Sequence, residues 1–180
     1  MSGTADPLVR SDPSPAAQRW LVRLAIVEAM VLTTVATAAR RWVPMPRWSW
    51  VLGRAAAVPD QWRGRSVTRI PVRASDPIER RVARAVERAA ELLPGEPSCL
   101  ASATAGQVML RRRGRAGVVV IGLRRPDDAG TPAGTPWDAH AWLLGSRGAL
   151  SGGPAARGFT ATTVFEVPGR ATAAAIDLGP

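Results

Sequence analysis

Residues 98–123 read SCLASATAGQVMLRRRGRAGVVVIGL, and the switch of pattern inside this stretch decides the fold class. Ser98 to Arg113 reads as a helix, rich in Ala, Met and Leu and stopped by Gly114. Ala116 to Leu123 then reads as a strand, with three consecutive valines at its centre. The only cysteine of the chain, Cys99, opens the helix. A helix start carries partial positive charge and unpaired N–H groups, which favour a thiolate.

Upstream lies the clearest helix, Asp76 to Leu93. Asp76 suits the N-cap, Pro77 the first turn, and Glu79 the third position of a capping box. Ile78, Val82, Val86, Ala89 and Leu93 form its apolar stripe, and Pro94-Gly95 ends it. Ala16 to Val43 reads as a further helix, with Trp20, Leu24, Val27, Val31 and Val35 near helical spacing. The expectation for that stripe is a core or docking face. Trp48 to Ala57 suggests a short helix, and Trp48, Trp50 and Trp62 suggest packing against a neighbouring part of the chain or, as the alternative, a partner-docking face.

Downstream, Arg124 to Pro136 is a loop rich in Pro, Gly and Asp. Strands are expected over Asp138 to Leu144, Ala149 to Ser151 and Phe159 to Val167, with Ser146-Arg147-Gly148 as a turn. Helices followed by a small antiparallel sheet make an α+β protein. The expected division is a disordered N-terminus at 1–15, a helical region at 16–75, the core at 76–168 and a tail at 169–180.

The chain has 180 residues and a formal charge of +10, and all its basic side chains are Arg. The arginines are spread along the whole length, so no nucleic-acid partner is expected, while an acidic peptide fits the charge. A single cysteine excludes an internal disulfide and a Cys-based structural zinc site. No metal and no cofactor is expected. The N-terminus lacks a secretory pattern. The apolar run Leu24–Ala39 contains Glu28 and falls short of the ~20 residues that span a bilayer. A cytoplasmic location without membrane contact is therefore expected.

His140, the only histidine, stands in Asp138-Ala139-His140-Ala141-Trp142 on a strand. A strand histidine can face the start of a helix packed on its sheet, and a Cys–His pair within hydrogen-bond reach makes a nucleophile. Asp138, two residues earlier on the same sheet face, could steady the imidazole; Glu166 and Asp127 are weaker choices. Gln107 lies two turns along the helix, about 12 Å from Cys99, which points to packing or surface instead of an oxyanion contact. Arg111 to Arg113 read as a solvated helix end that complements the helix dipole.

Cys99-Leu100-Ala101, Met109 to Gly114, the valine strand and Ala139-His140-Ala141-Trp142, in this order, resemble the stand-alone leader peptidases of lasso-peptide biosynthesis, within the transglutaminase-like superfamily. The resemblance covers about Asp76 to Phe165. It implies a papain-like core with the Cys-bearing helix packed on an antiparallel sheet. It also implies a cysteine peptidase that removes the leader segment from a ribosomally made precursor peptide. Cys99 would be the nucleophile and His140 the base. The implied partners are the precursor peptide, a small leader-recognition protein and an ATP-dependent lasso cyclase. In the family an acid commonly follows the histidine by about a dozen residues, where this chain has Ser151-Gly152-Gly153. Two alternatives stay open: another amidase or acyltransferase on the same fold, and a catalytically inactive precursor-binding scaffold.

Overall fold

The computed structural model describes residues 14–68, 70, 76–125 and 137–167. Helix α1 spans Pro15–Trp42, α2 spans Pro77–Leu92 and α3 spans Cys99–Arg112. The strands are β1 (Arg54–Ala56), β2 (Val118–Arg124), β3 (Asp138–Leu144), β4 (Ala149–Ser151) and β5 (Thr160–Glu166). They form one antiparallel sheet in the order β1-β5-β2-β3-β4. This is the expected α+β architecture, with the Cys-bearing helix against the sheet. The expected N-terminus (1–15) and the tail (169–180) lie almost wholly outside the described residues, as does Asp127.

Strand alternation puts different side chains on the two faces of the sheet. Val119, Leu143 and Phe165 pack with the helices. Val118, Val120, Trp142, Leu144 and Val164 pack on the other side against Trp62, Val67 and Phe159. Burial on both faces explains why β2 reads as a continuous apolar run. α3 lies close on the sheet because its buried positions are small: Ala101, Ala103 and Ala105 are fully covered, and Gly106 leaves no room for a side chain beneath Leu143.

The chain between α1 and α2 departs from expectation. Trp48–Ala57 is not a helix but two single 3-10 turns, Met45–Arg47 and Ser49–Val51, followed by β1. Pro44 and Pro46 break helical bonding. Gly53 then takes φ +116° with its Cα against the Glu166 carbonyl, where a Cβ would lie at 2.3 Å, and the chain turns into the sheet edge. Trp48 and Trp62 are buried, on opposite faces of the sheet, so they do not form a docking face with Trp50, which alone of the three is exposed. The expected boundary near residue 75 does not separate two packing units. β1 completes the sheet, and Ala25, Ala29, Trp48 and Leu52 share a core with α2 and α3.

α1 also differs. Its buried side chains are Ala25, Ala29, Thr33 and Ala36, whereas the apolar stripe of Trp20, Leu24, Val27, Val31 and Val35 faces outward. Small side chains let α1 approach α2 and α3 closely. Glu28, which interrupts the apolar run in the sequence, turns inward to pair with Arg112 and Arg113 at the end of α3. Those two arginines are therefore committed to α1 and are not simply a solvated helix end. By length and composition α1 could cross a membrane, with a mean hydropathy of 1.8 over its most apolar window, 22% of which is buried.

Two buried polar side chains fasten the frame. Gln107 is fully buried, and its Nε2 donates to the carbonyls of Leu52 (2.8 Å) and Gly117 (3.1 Å), joining α3 to the segments leading into β1 and β2. Its role is packing, but in the interior. Glu79 does not reach back to the cap of α2. Asp76 caps the Ile78 N–H on its own. The buried Glu79 carboxylate instead accepts from the backbone N–H and hydroxyl of Ser146 at 2.9 and 3.0 Å, fixing the β3–β4 turn to α2.

Replacing Gln107 with Ala takes its donor from the buried Leu52 carbonyl, removes one of the two donors of the Gly117 carbonyl (the Val167 N–H remains) and opens a cavity. A loss of about 2–4 kcal/mol in unfolding free energy is expected from urea denaturation.

Candidate active site

Ser98 caps α3, its hydroxyl accepting from the Ala101 N–H. Cys99 is the first residue of the helix and half-buried. Its sulfur meets the edge of β3, where the backbone N–H of Ala141 donates to Sγ at 3.3 Å. That N–H is available because β4 is only three residues long and pairs with Leu143 and Leu144 but not with Ala141. The thiol thus occupies the place a longer β4 would fill.

His140 precedes Ala141 on β3 and is hydrogen-bonded to Cys99. Its Nε2 lies 2.9 Å from the carbonyl oxygen of Gly152. A carbonyl accepts only, so Nε2 carries the hydrogen and Nδ1 is left to serve the thiol. The ring is held between Trp142 (centroids 6.0 Å apart) and Phe159 (5.3 Å). Gly152 lies 12 residues after His140, at the position where the family commonly has an acid. Its φ is +71°, and a Cβ there would come within 2.8 Å of the Ala141 carbonyl. The close approach that aims this carbonyl requires glycine.

Asp138 is placed differently from expectation. Its carboxylate bonds across the strands to Arg124 at 2.6 Å, half exposed at the sheet end. The imidazole nitrogen it was expected to steady is held by Gly152. Asp138 adds only the smallest of the influences that act on His140. Glu166 pairs in register with Arg54 and Val118, far along β5 from this edge.

The electrostatics favour a charged pair. Burial pushes the Cys99 thiol up, but the hydrogen bonds with His140 and from the Ala141 N–H, the attraction of the imidazolium and the Leu100 N–H outweigh it. The thiol is held below its ordinary value. His140 is raised, first by its hydrogen bond to Cys99. Burial opposes this, and the Gly152 carbonyl and the charges of Cys99 and Asp138 add to it. Both shifts move the site toward a thiolate beside an imidazolium. Among the described residues no cluster of three or more His, Cys, Asp or Glu side chains could hold a metal.

Cys99 opens into a cavity of about 440 Å³ between α2, the first turn of α3 and the β4 segment. Ala83, Val86 and Leu150 give it apolar walls, Arg80, Arg84 and Glu87 lie along α2, and Gly152 and Gly153 lie at the β4 side.

A cysteine with a lowered pKa at a helix N-terminus, against a histidine on an antiparallel sheet, is an arrangement capable of thiol-based acyl chemistry. The chain belongs to the transglutaminase-like superfamily, whose profile matches residues 34–164 and thus most of its length. That superfamily commonly comprises cysteine-dependent enzymes, including cysteine peptidases and acyltransferases. Among curated proteins and among solved structures, no significant match was found.

Alkylation of Cys99 by iodoacetamide across pH tests the pair. The wild-type rate is expected to rise through a midpoint below the ~8.5 of a free thiol. His140→Ala removes the lowering influences and leaves burial. Its midpoint is expected to move upward, making the rate at pH 7 lower than that of wild type. Asp138→Asn is expected to change that rate by less than about threefold, its carboxylate being half exposed and paired with Arg124. Gly152→Ala forces the carbonyl away from Nε2, and its midpoint is expected to lie between those of wild type and His140→Ala.

Proposed function

We propose that this protein is a cysteine peptidase that cuts the leader segment from a ribosomally synthesised precursor peptide during lasso-peptide maturation. The observation that carries the reading is the Cys99–His140 pair, with Nε2 held by the Gly152 carbonyl and Cys99 lining a cavity of about 440 Å³. The resemblance of the blocks around Cys99 and His140 to lasso leader peptidases supplies the substrate class.

Cys99 thiolate attacks the scissile carbonyl, and the N–H groups of the first turn of α3 stabilise the oxyanion. As the C–N bond breaks, His140 gives its Nδ1 proton to the departing amine, leaving a thioester on Cys99. His140 then takes a proton from water, hydroxide attacks the thioester, and the carboxylic acid and the thiol are regenerated. The Gly152 carbonyl keeps the imidazole in the tautomer and orientation these steps need, the task that an acid performs elsewhere. The arginines along α2 suit a peptide with acidic side chains. A small leader-recognition protein presents the precursor, and an ATP-dependent cyclase takes the released core peptide.

Incubation of a precursor peptide with the protein and its recognition partner, followed by mass spectrometry, decides the matter. Leader and core fragments summing to precursor plus one water are expected with wild type. Cys99→Ala is expected to lower the rate by at least about a thousandfold. Cleavage that persists in a folded Cys99→Ala protein sinks the mechanism. A product lacking the added water and joined to an amine identifies an acyltransferase instead. Precursor that stays bound and intact with wild type identifies a scaffold.

A further inference from the structure

α1 has two faces with opposite commitments. One is buried on α2 and α3 and anchored by Glu28 to Arg112 and Arg113. The other presents Trp20, Leu24, Val27, Val31, Val35 and Trp42 at intervals of three to seven residues, each between 56% and 79% exposed. At 1.5 Å per residue this stripe is about 33 Å long. Between Arg23 and Arg40 the only charged residue of α1 is Glu28, and it is turned away. Arg19 and Arg23 stand exposed at one end, with Arg23 over the Trp20 ring, and Arg40 and Arg41 stand exposed at the other. The outward surface is thus a long uncharged apolar band with an indole and a pair of guanidinium groups at each end.

Its occupant has to supply negative charge at both ends and apolar contact between them. A second copy of the chain does not. Parallel or antiparallel, two α1 helices bring arginine pairs together at each end, and α1 holds no outward carboxylate to offset them. The band is also the convex side of a single helix, which offers a protein partner no cleft. A lipid surface needs no matching shape, and it places anionic headgroups beside arginines, indoles at the interface and apolar side chains just beneath. The net charge of +10 acts in the same direction.

We propose that the outward face of α1 docks the protein on an anionic lipid surface, with the helix lying along the membrane. The inner face stays on α2 and α3, because inserting α1 across the bilayer would strip Ala25, Ala29 and Thr33 from the core and break the Glu28 pairs. The sequence alone left a core or a docking helix, and it is the outward placement of the stripe that carries this proposal.

Flotation of the full chain with vesicles of phosphatidylglycerol and phosphatidylethanolamine tests it, with phosphatidylcholine vesicles in parallel. Wild type is expected to float with the anionic vesicles and to release them as salt is raised. Leu24→Glu/Val31→Glu is expected to bind at least about tenfold more weakly. An unchanged Cys99 alkylation rate shows that this variant is folded. Should it misfold, Val27→Gln/Val35→Gln takes its place with the same expected loss. Wild type left unbound overturns the proposal, as does equal binding of wild type and variant. So does a lipid-indifferent wild-type dimer, seen by light scattering, that the substitutions dissociate, because the face then belongs to a second copy.

Discussion

The sulfur of Cys99 takes a hydrogen bond that the sheet leaves open. β4 stops after three residues, Ala141 has no partner on that side of β3, and its N–H turns to the thiol. Much of the remaining structure serves that one contact. α3 has to start at the edge of β3, so its buried positions are alanines and a glycine that let it lie close to the sheet. β4 has to end where it does, so its turn is tied by Ser146 to the buried Glu79 of α2. Gly152 then follows in the one conformation that brings its carbonyl to His140.

The outer parts work through the same helix. α3 meets α1, α2 and the sheet together, and Gln107 reaches from it to the backbone on either side. The half-buried pairing of Glu28 with Arg113 joins α1 to the far end of α3. Pairs of this kind fix one arrangement more than they add stability. The result is a Cys-bearing helix held along its length by polar contacts whose partners are distant in sequence.

What could be read from the residues follows this division. Periodicity, caps and breakers are local, and they placed α2, α3 and the last four strands close to their observed bounds. The cysteine and histidine were legible as chemistry because each is single and stands at a helix start or on a strand. The orienting partner was not, because a backbone carbonyl has no identity in a sequence: Gly152 reads as the absence of an acid. Asp138 looked suitable by spacing, but Arg124 stands directly opposite in the register, and cross-strand pairing is not written locally. β1 was read as part of a short helix over Trp48 to Ala57, whereas the prolines and Gly53 set the backbone. The stripe of α1 was read as a core or docking face because its large apolar residues keep helical spacing. Its inner face uses Ala and Thr instead, since close helix packing selects for small size and not for hydrophobicity.

The carbonyl of Gly152 has no proton to gain or lose. In a three-residue site with a carboxylate, acid can silence the third member and remove a full negative charge from beside the imidazolium. Here the orienting group is the same at every pH. It contributes a dipole but no net charge, so the imidazolium finds its counter-charge chiefly in the thiolate itself. The two ionisations are bound to one another: a charge lost from either residue removes the main reason for the charge on the other. The site is in this sense a two-body switch on a pH-silent hinge, and no substitution confined to a side chain can delete that hinge without bending the main chain that forms it.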